Sequence, residues 1–287
     1  MARDWSDAEW SAIFGAQDMT ELERQLWGMQ HTGIPAGRLG YRTRTILSGD
    51  ILESELFPIW GRRYEKQARQ AREKITLERM ERANRQAAIR RVIRLANTNF
   101  TARDLHLTLT YAEKPPTYEQ AQKDVRNFLR RVKRLREKKN LEPAKYIYVI
   151  EEDNSGEKVR IHAHMLISGG LSREELEACW RKGWANADRL QPNEEGLANI
   201  AKYITKAQRN RKKWICSRGL KQPKVRTSDT KVTARRVERM AEELPQVWKE
   251  ELRKIWPAWE PVSCEVYRSD SMPGVFIRAQ MRRVKRS

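Results

Sequence analysis

Between Asp104 and Ile204 the apolar residues recur with a period that switches between about two and about 3.6 residues. The order of those switches limits the fold more than any other feature of the chain. Asp104–Tyr111 (DLHLTLTY) sets Leu105, Leu107 and Leu109 against polar or threonine positions, the pattern of a half-buried strand. Pro115 and Pro116 end it, and Thr117 with Gln120 forms a capping box for a helix. The core stripe of that helix is Val125, Phe128, Leu129, Val132 and Leu135. Lys145–Glu151 (KYIYVIE) reads as a second strand, Asp153–Gly156 (DNSG) as a turn and Val159–Ser168 as the returning strand. Ser172 and Glu175 cap a further helix running to about Lys182, and Ala185–Leu190 reads as a short strand. Leu197, Ile200, Ala201 and Ile204 then mark a final amphipathic helix. The order β-α-β-β-α-β is the split βαβ pattern of a ferredoxin-like antiparallel sheet, so the expected fold class is α+β.

The flanks are less regular. Residues 1–60 read as short helices and loops, with Trp5, Trp10, Trp27 and Trp60 as packing anchors and GIPAGRLGYR (33–42) as a loop. From Arg62 to about Ala96 neither Gly nor Pro occurs, and Arg, Lys, Glu, Ala and Gln dominate, which indicates a long helix. Glu65–Arg69, Glu78–Arg82 and Glu81–Arg85 stand at i,i+4 along it; its excess of arginine toward Arg90, Arg91 and Arg94 suits a path along phosphates. Val232–Trp256 reads as a helix broken at Pro245, and Ser263–Arg268 with Val275–Met281 as a terminal hairpin. The expected organisation is a helical basic N-terminal extension (1–98), a central domain (99–210) and a small basic C-terminal α/β extension (211–287).

Charge narrows the partner. Lys and Arg number 58 against 38 Asp and Glu, a formal net charge of +20 in 287 residues. Such an excess calls for a polyanion, and nucleic acid fits better than an anionic membrane surface. No run approaches the roughly 18 apolar residues of a spanning helix, and MARDWSDAEW lacks a signal-peptide core. Cys179, Cys216 and Cys264 are far apart, without a C-x-x-C pair, which suggests a reduced, cytoplasmic setting.

Two of the four histidines, His162 and His164, lie one residue apart in the returning strand. Positions i and i+2 of a strand share a face, so both imidazoles can meet one ion. A third ligand would come from the preceding strand. An even hairpin loop puts Glu151 on the histidine face, whereas an odd loop puts Glu152 there. Two imidazoles and a carboxylate suit Mn²⁺ or Mg²⁺. Downstream, Tyr203 lies at the edge of the apolar stripe of its helix, with Lys206 at i+3. A tyrosine with an ordinary pKa near 10 needs help to act as a nucleophile; Lys206 can supply positive charge or contact a phosphate. Dense positive charge with Trp214 in QRNRKKWICSRGLKQPK (208–224) suits backbone clamping and base stacking.

In this order, LHLTLTY (105–111), IHAHML (161–166) and YITK (203–206) resemble the three motifs of rolling-circle replication initiators of the His-hydrophobe-His (HUH) endonuclease superfamily. The resemblance covers roughly residues 100–210. The tyrosine follows the histidines, as in replication initiators, whereas in conjugative relaxases it precedes them, and a single tyrosine in the third motif implies a one-tyrosine enzyme. Ala163 is a small residue for the hydrophobic slot. The resemblance implies an HUH endonuclease core, metal binding by His162 and His164, attack by Tyr203 and assistance from Lys206. It implies nicking of single-stranded origin DNA to leave a 5′-phosphotyrosine and a free 3′-OH, with later rejoining. No G-x-x-x-x-G-K-[ST] motif occurs, so helicase and polymerase would be separate host proteins. The rival readings are a mobile-element transposase or relaxase with the same chemistry, and a non-catalytic nucleic-acid-binding protein.

Overall fold

The structure, a computed structural model, describes residues 40–59, 77–113, 116–151, 161–205, 214–242, 244–268 and 274–284, with backbone alone at 77–85 and 203–205. In chain order these form β1 (Gly40–Ser48), β2 (Ile51–Ile59), α1 (Leu77–Asn99), β3 (Leu105–Thr110), α2 (Tyr118–Lys138), β4 (Tyr146–Glu151), β5 (His162–Ile167) and α3 (Arg173–Ala178). Then come β6 (Ala185–Arg189), α4 (Ala198–Thr205), β7 (Ile215–Cys216), β8 (Lys224–Ser228), α5 (Ala234–Met240), α6 (Pro245–Ile255), β9 (Trp259–Arg268) and β10 (Val275–Arg283). The described residues thus make a mixed α+β protein with six helices and two five-stranded antiparallel sheets. Residues 91–222 are one compact unit; the described residues before 91 and after 222 make the other.

In the unit 91–222 the strand order is β6-β3-β5-β4-β7. Strand β5 lies between β3 and β4, the pair that α2 connects, and β3 lies between β5 and β6, the pair that α3 connects. The alternating leucines dictate one face. Leu105, Leu107 and Leu109 join Ala163, Met165 and Ile167 of β5 in a core with Val125, Phe128 and Val132 of α2. Thr117 accepts the Gln120 amide at 3.3 Å, satisfying one of the free donors at the start of α2. At α3 the full capping box forms between Ser172 and Glu175. That helix stops at Ala178, short of the expected Lys182, because the chain turns to bury Trp180, whose Nε1 donates to the Thr110 carbonyl at 2.7 Å. On the opposite face, Ile147, Val149 and Leu166 pack with Val92, Leu95 and Ala96 of α1 and Ala201 of α4.

The other unit has strand order β8-β1-β2-β10-β9. Here the expected helices and loops before residue 60 are corrected: residues 40–59 are a β-hairpin, closed by the two-residue loop Gly49-Asp50 with Gly49 at φ 61°. Arg42, Arg44, Glu53, Glu55 and Pro58 obscure the alternation, because charge here is part of the sheet. Glu55 is fully buried and meets Arg44 at 3.2 Å. Leu52, Leu56, Ile277, Ala279 and Met281 pack with Val237 of α5 and Leu252 of α6. The expected break at Pro245 is the start of α6, and the expected terminal hairpin is β9–β10. The ion pair Glu65–Arg69 and the tryptophans at 5, 10, 27 and 60 lie outside the described residues, as do the side chains of Glu78–Arg82 and Glu81–Arg85.

Candidate functional site

Antiparallel pairing sets which side chains share a face. Glu151 of β4 stands opposite His162 of β5, and Thr108 of β3 stands opposite His164. Residues directly opposite one another point to the same side. The face turned away from the leucine core therefore carries His106, Thr108 and Thr110 on β3, His162 and His164 on β5, and Glu151 on β4. Glu152, the alternative third ligand, lies outside the described residues.

The three side chains converge. His162 Nε2 lies 3.0 Å and His164 Nε2 3.4 Å from the same Glu151 oxygen, and the two rings meet edge to face with centroids 4.7 Å apart. One donor atom from each falls within 4.8 Å of the others, so the group can hold a metal ion. Exposure grades across it: His164 is 3% exposed, His162 18% and Glu151 30%, leaving one side of the group open to solvent.

His164 is held from two sides. Its Nδ1 lies 3.3 Å from Thr108 Oγ1, and its ring stacks on His106 at 5.5 Å with planes 15° apart. A contact at Nδ1 turns Nε2 toward Glu151, the arrangement by which a neighbouring group fixes a ligating imidazole. Burial, and then the adjacent His162 and His106, push the His164 pKa down to about 4. It is neutral at physiological pH, as a ligating imidazole must be. Burial also lowers His106, against the pull of Asp188. His106 Nε2 is buried, with no hydrogen-bond partner among the described residues. The sequence reading singles out neither His106 nor Thr108. Their signal is the alternation itself, since every residue between the leucines of β3 has to face the histidine side.

Tyr203 lies on α4, whose Ala201 packs with Ile147, Val149 and Leu166 on that same face of the sheet. The start of α4 is tied to α1, because the Leu197 amide donates to Asn97 Oδ1 at 2.7 Å. Lys206 lies outside the described residues. Trp214 packs partly buried against the cluster beneath α1 and α4, with the Arg91 guanidinium over its ring at 5.7 Å. No helix among the described residues is long and apolar enough to cross a membrane.

The sequence model of a family of replication-associated proteins, the ORF2 type, matches residues 104–208. The matched stretch is 105 of 287 residues and runs from the residue before β3 to just past α4. It includes Glu151, His162, His164, Tyr203 and Lys206. No curated protein and no solved structure matches the chain.

Proposed function

We propose that this protein is a replication initiator of the single-tyrosine HUH type, which nicks single-stranded origin DNA and rejoins it. The observation that carries this reading is the meeting of Glu151, His162 and His164 on the sheet face against which the Tyr203 helix packs. The strand order β6-β3-β5-β4 agrees with the ferredoxin-like core that such enzymes use. The match to replication-associated proteins over the same stretch points the same way.

In this reading His162, His164 and Glu151 hold Mn²⁺ or Mg²⁺. When bound, the ion supplies Lewis-acid polarisation of a phosphate oxygen. The Tyr203 phenol loses its proton to solvent and its oxygen bonds to phosphorus. The bond from phosphorus to the 3′ oxygen breaks, and that oxygen takes up a proton to become the free 3′-OH. Lys206 offsets negative charge on the phenolate or the phosphate. The phosphodiester is exchanged for a phosphotyrosine ester, so a later 3′-OH can reverse the step and rejoin strands. Thr108 and His106 hold the His164 ring. The net charge of +20 favours the polyanionic substrate. The expected setting is the cytoplasm, with unwinding and synthesis left to separate proteins.

The test is incubation with Mn²⁺ and labelled single strands tiled from the replicon of origin, read on denaturing gels. The wild type is expected to give a metal-dependent covalent band that Tyr203→Phe lacks. Binding without any band on every tile would shift the assignment to a non-catalytic nucleic-acid-binding protein. Excised circular products from a donor element would shift it to a transposase.

A further inference from the structure

Helix α2 has a second face unrelated to the metal-binding group. Its apolar residues Val125, Phe128 and Val132 are buried against the sheet, on the side opposite the histidines. Directly away from that core stand Lys123, Arg126, Arg130, Lys133, Arg134 and Lys138, all exposed. At 100° per residue these six fall within about 140° of the helix circumference. Among the described residues, Lys133 alone of the six pairs with a carboxylate, Glu137, at 3.7 Å. From Lys123 to Arg134 the arc holds no acidic side chain and spans about 17 Å of helix axis.

We propose that this row is a docking surface for the backbone of double-stranded DNA, separate from the face that takes the single strand. The chemistry favours duplex over single strand. A straight helix presents its cations at fixed intervals, which suits the regular phosphates of a duplex. Single-strand surfaces add aromatic platforms for unstacked bases, and the exposed arc has none, since Tyr118 and Phe128 are both buried. The arginines dominate the centre of the row, and their planar guanidinium groups match phosphate oxygens two at a time. Such a surface lets the protein hold the flanking duplex while the other face of the sheet engages the melted strand. It stands on the charge row alone and does not depend on chemistry at Tyr203.

The experiment compares the full-length protein with R126A/R130A/R134A by fluorescence anisotropy, using a duplex of roughly 20 base pairs and a dT strand of about the same length over a salt series. Alanine keeps the helix favourable, and a thermal melt checks folding. The triple variant is expected to bind duplex about tenfold or more weakly, with the log–log salt slope shallower by about 2 to 3. Binding to the dT strand is expected to stay within about twofold, because the row makes no contact with it. The charge-retaining variant R126K/R130K/R134K is expected to recover most of the slope. An unchanged duplex slope overturns the proposal. An equal loss on both probes also overturns it, as does a loss confined to vesicles of anionic lipid. Because Mn²⁺-dependent cleavage plays no part in the readout, failure here leaves the nicking assignment untouched, and the reverse holds too.

Discussion

His164 illustrates how little freedom a single side chain keeps at the centre of this sheet. Thr108 holds one ring nitrogen, His106 covers one ring face, and the other nitrogen is left to face Glu151. Losing the Thr108 contact frees the ring to rotate, so Thr108→Val should weaken Mn²⁺ binding by about tenfold, the lower end for groups that orient a ligand. Electron paramagnetic resonance titration of free Mn²⁺ checks this, and an unaltered affinity would remove Thr108 from the site. A second prediction concerns Tyr148, buried in β4 beneath α2. Burial, helped by Tyr146, pushes its pKa up to about 12. The group is neutral in the folded protein and ionises first in the unfolded chain. The stability it protects is therefore whole below pH ~10 and is lost as pH rises toward ~12. Tyr148→Phe should flatten the fall in melting temperature over that interval, relative to the wild type.

At the scale of elements, α4 is placed by a neighbour rather than by a cap of its own. Its first turn hangs on Asn97, near the end of α1. Asn97→Ala should lower the rate of adduct formation at Tyr203 while leaving Mn²⁺ affinity unchanged, since the triad lies on strands that Asn97 does not hold. Parallel loss of both would mean that the substitution had disturbed the sheet. Between residues 104 and 205 every element except the exact end of α3 is legible in sequence, because each of these strands and helices buries one apolar face and shows the matching period. Glu151 can be reached by hairpin parity alone. His106 and Thr108 cannot, because polar positions on a half-buried strand look the same whether they meet water or a neighbouring histidine. The hairpin β1–β2 escapes the pattern for a related reason. Its buried Glu55 is balanced by Arg44, so charge lies where a sequence pattern expects leucine.

At the scale of the molecule, each of the two sheets packs against apolar residues of its own unit. The unit 91–222 is continuous in sequence and contains the whole triad together with α4. A fragment spanning residues 77–222, which keeps α1 whole, should fold cooperatively and retain Mn²⁺ binding within about threefold of the full chain, a margin of roughly 0.7 kcal/mol. Circular dichroism melting and the same Mn²⁺ titration would show it. An unfolded fragment would mean that its core relies on the rest of the chain.

The sheet of the other unit has a different history, because β2 must pair with β10. During synthesis β1 and β2 leave the ribosome first, and β10 follows only after about 215 further residues, some 10–40 s later at ordinary elongation rates. Over that interval the intervening unit has time to fold, while one edge of β2 waits with its hydrogen-bonding groups unclaimed. An exposed edge is an invitation to pair with another nascent chain. Early termination before Val275 should therefore yield aggregates held through β1–β2, even though the domain already made is sound.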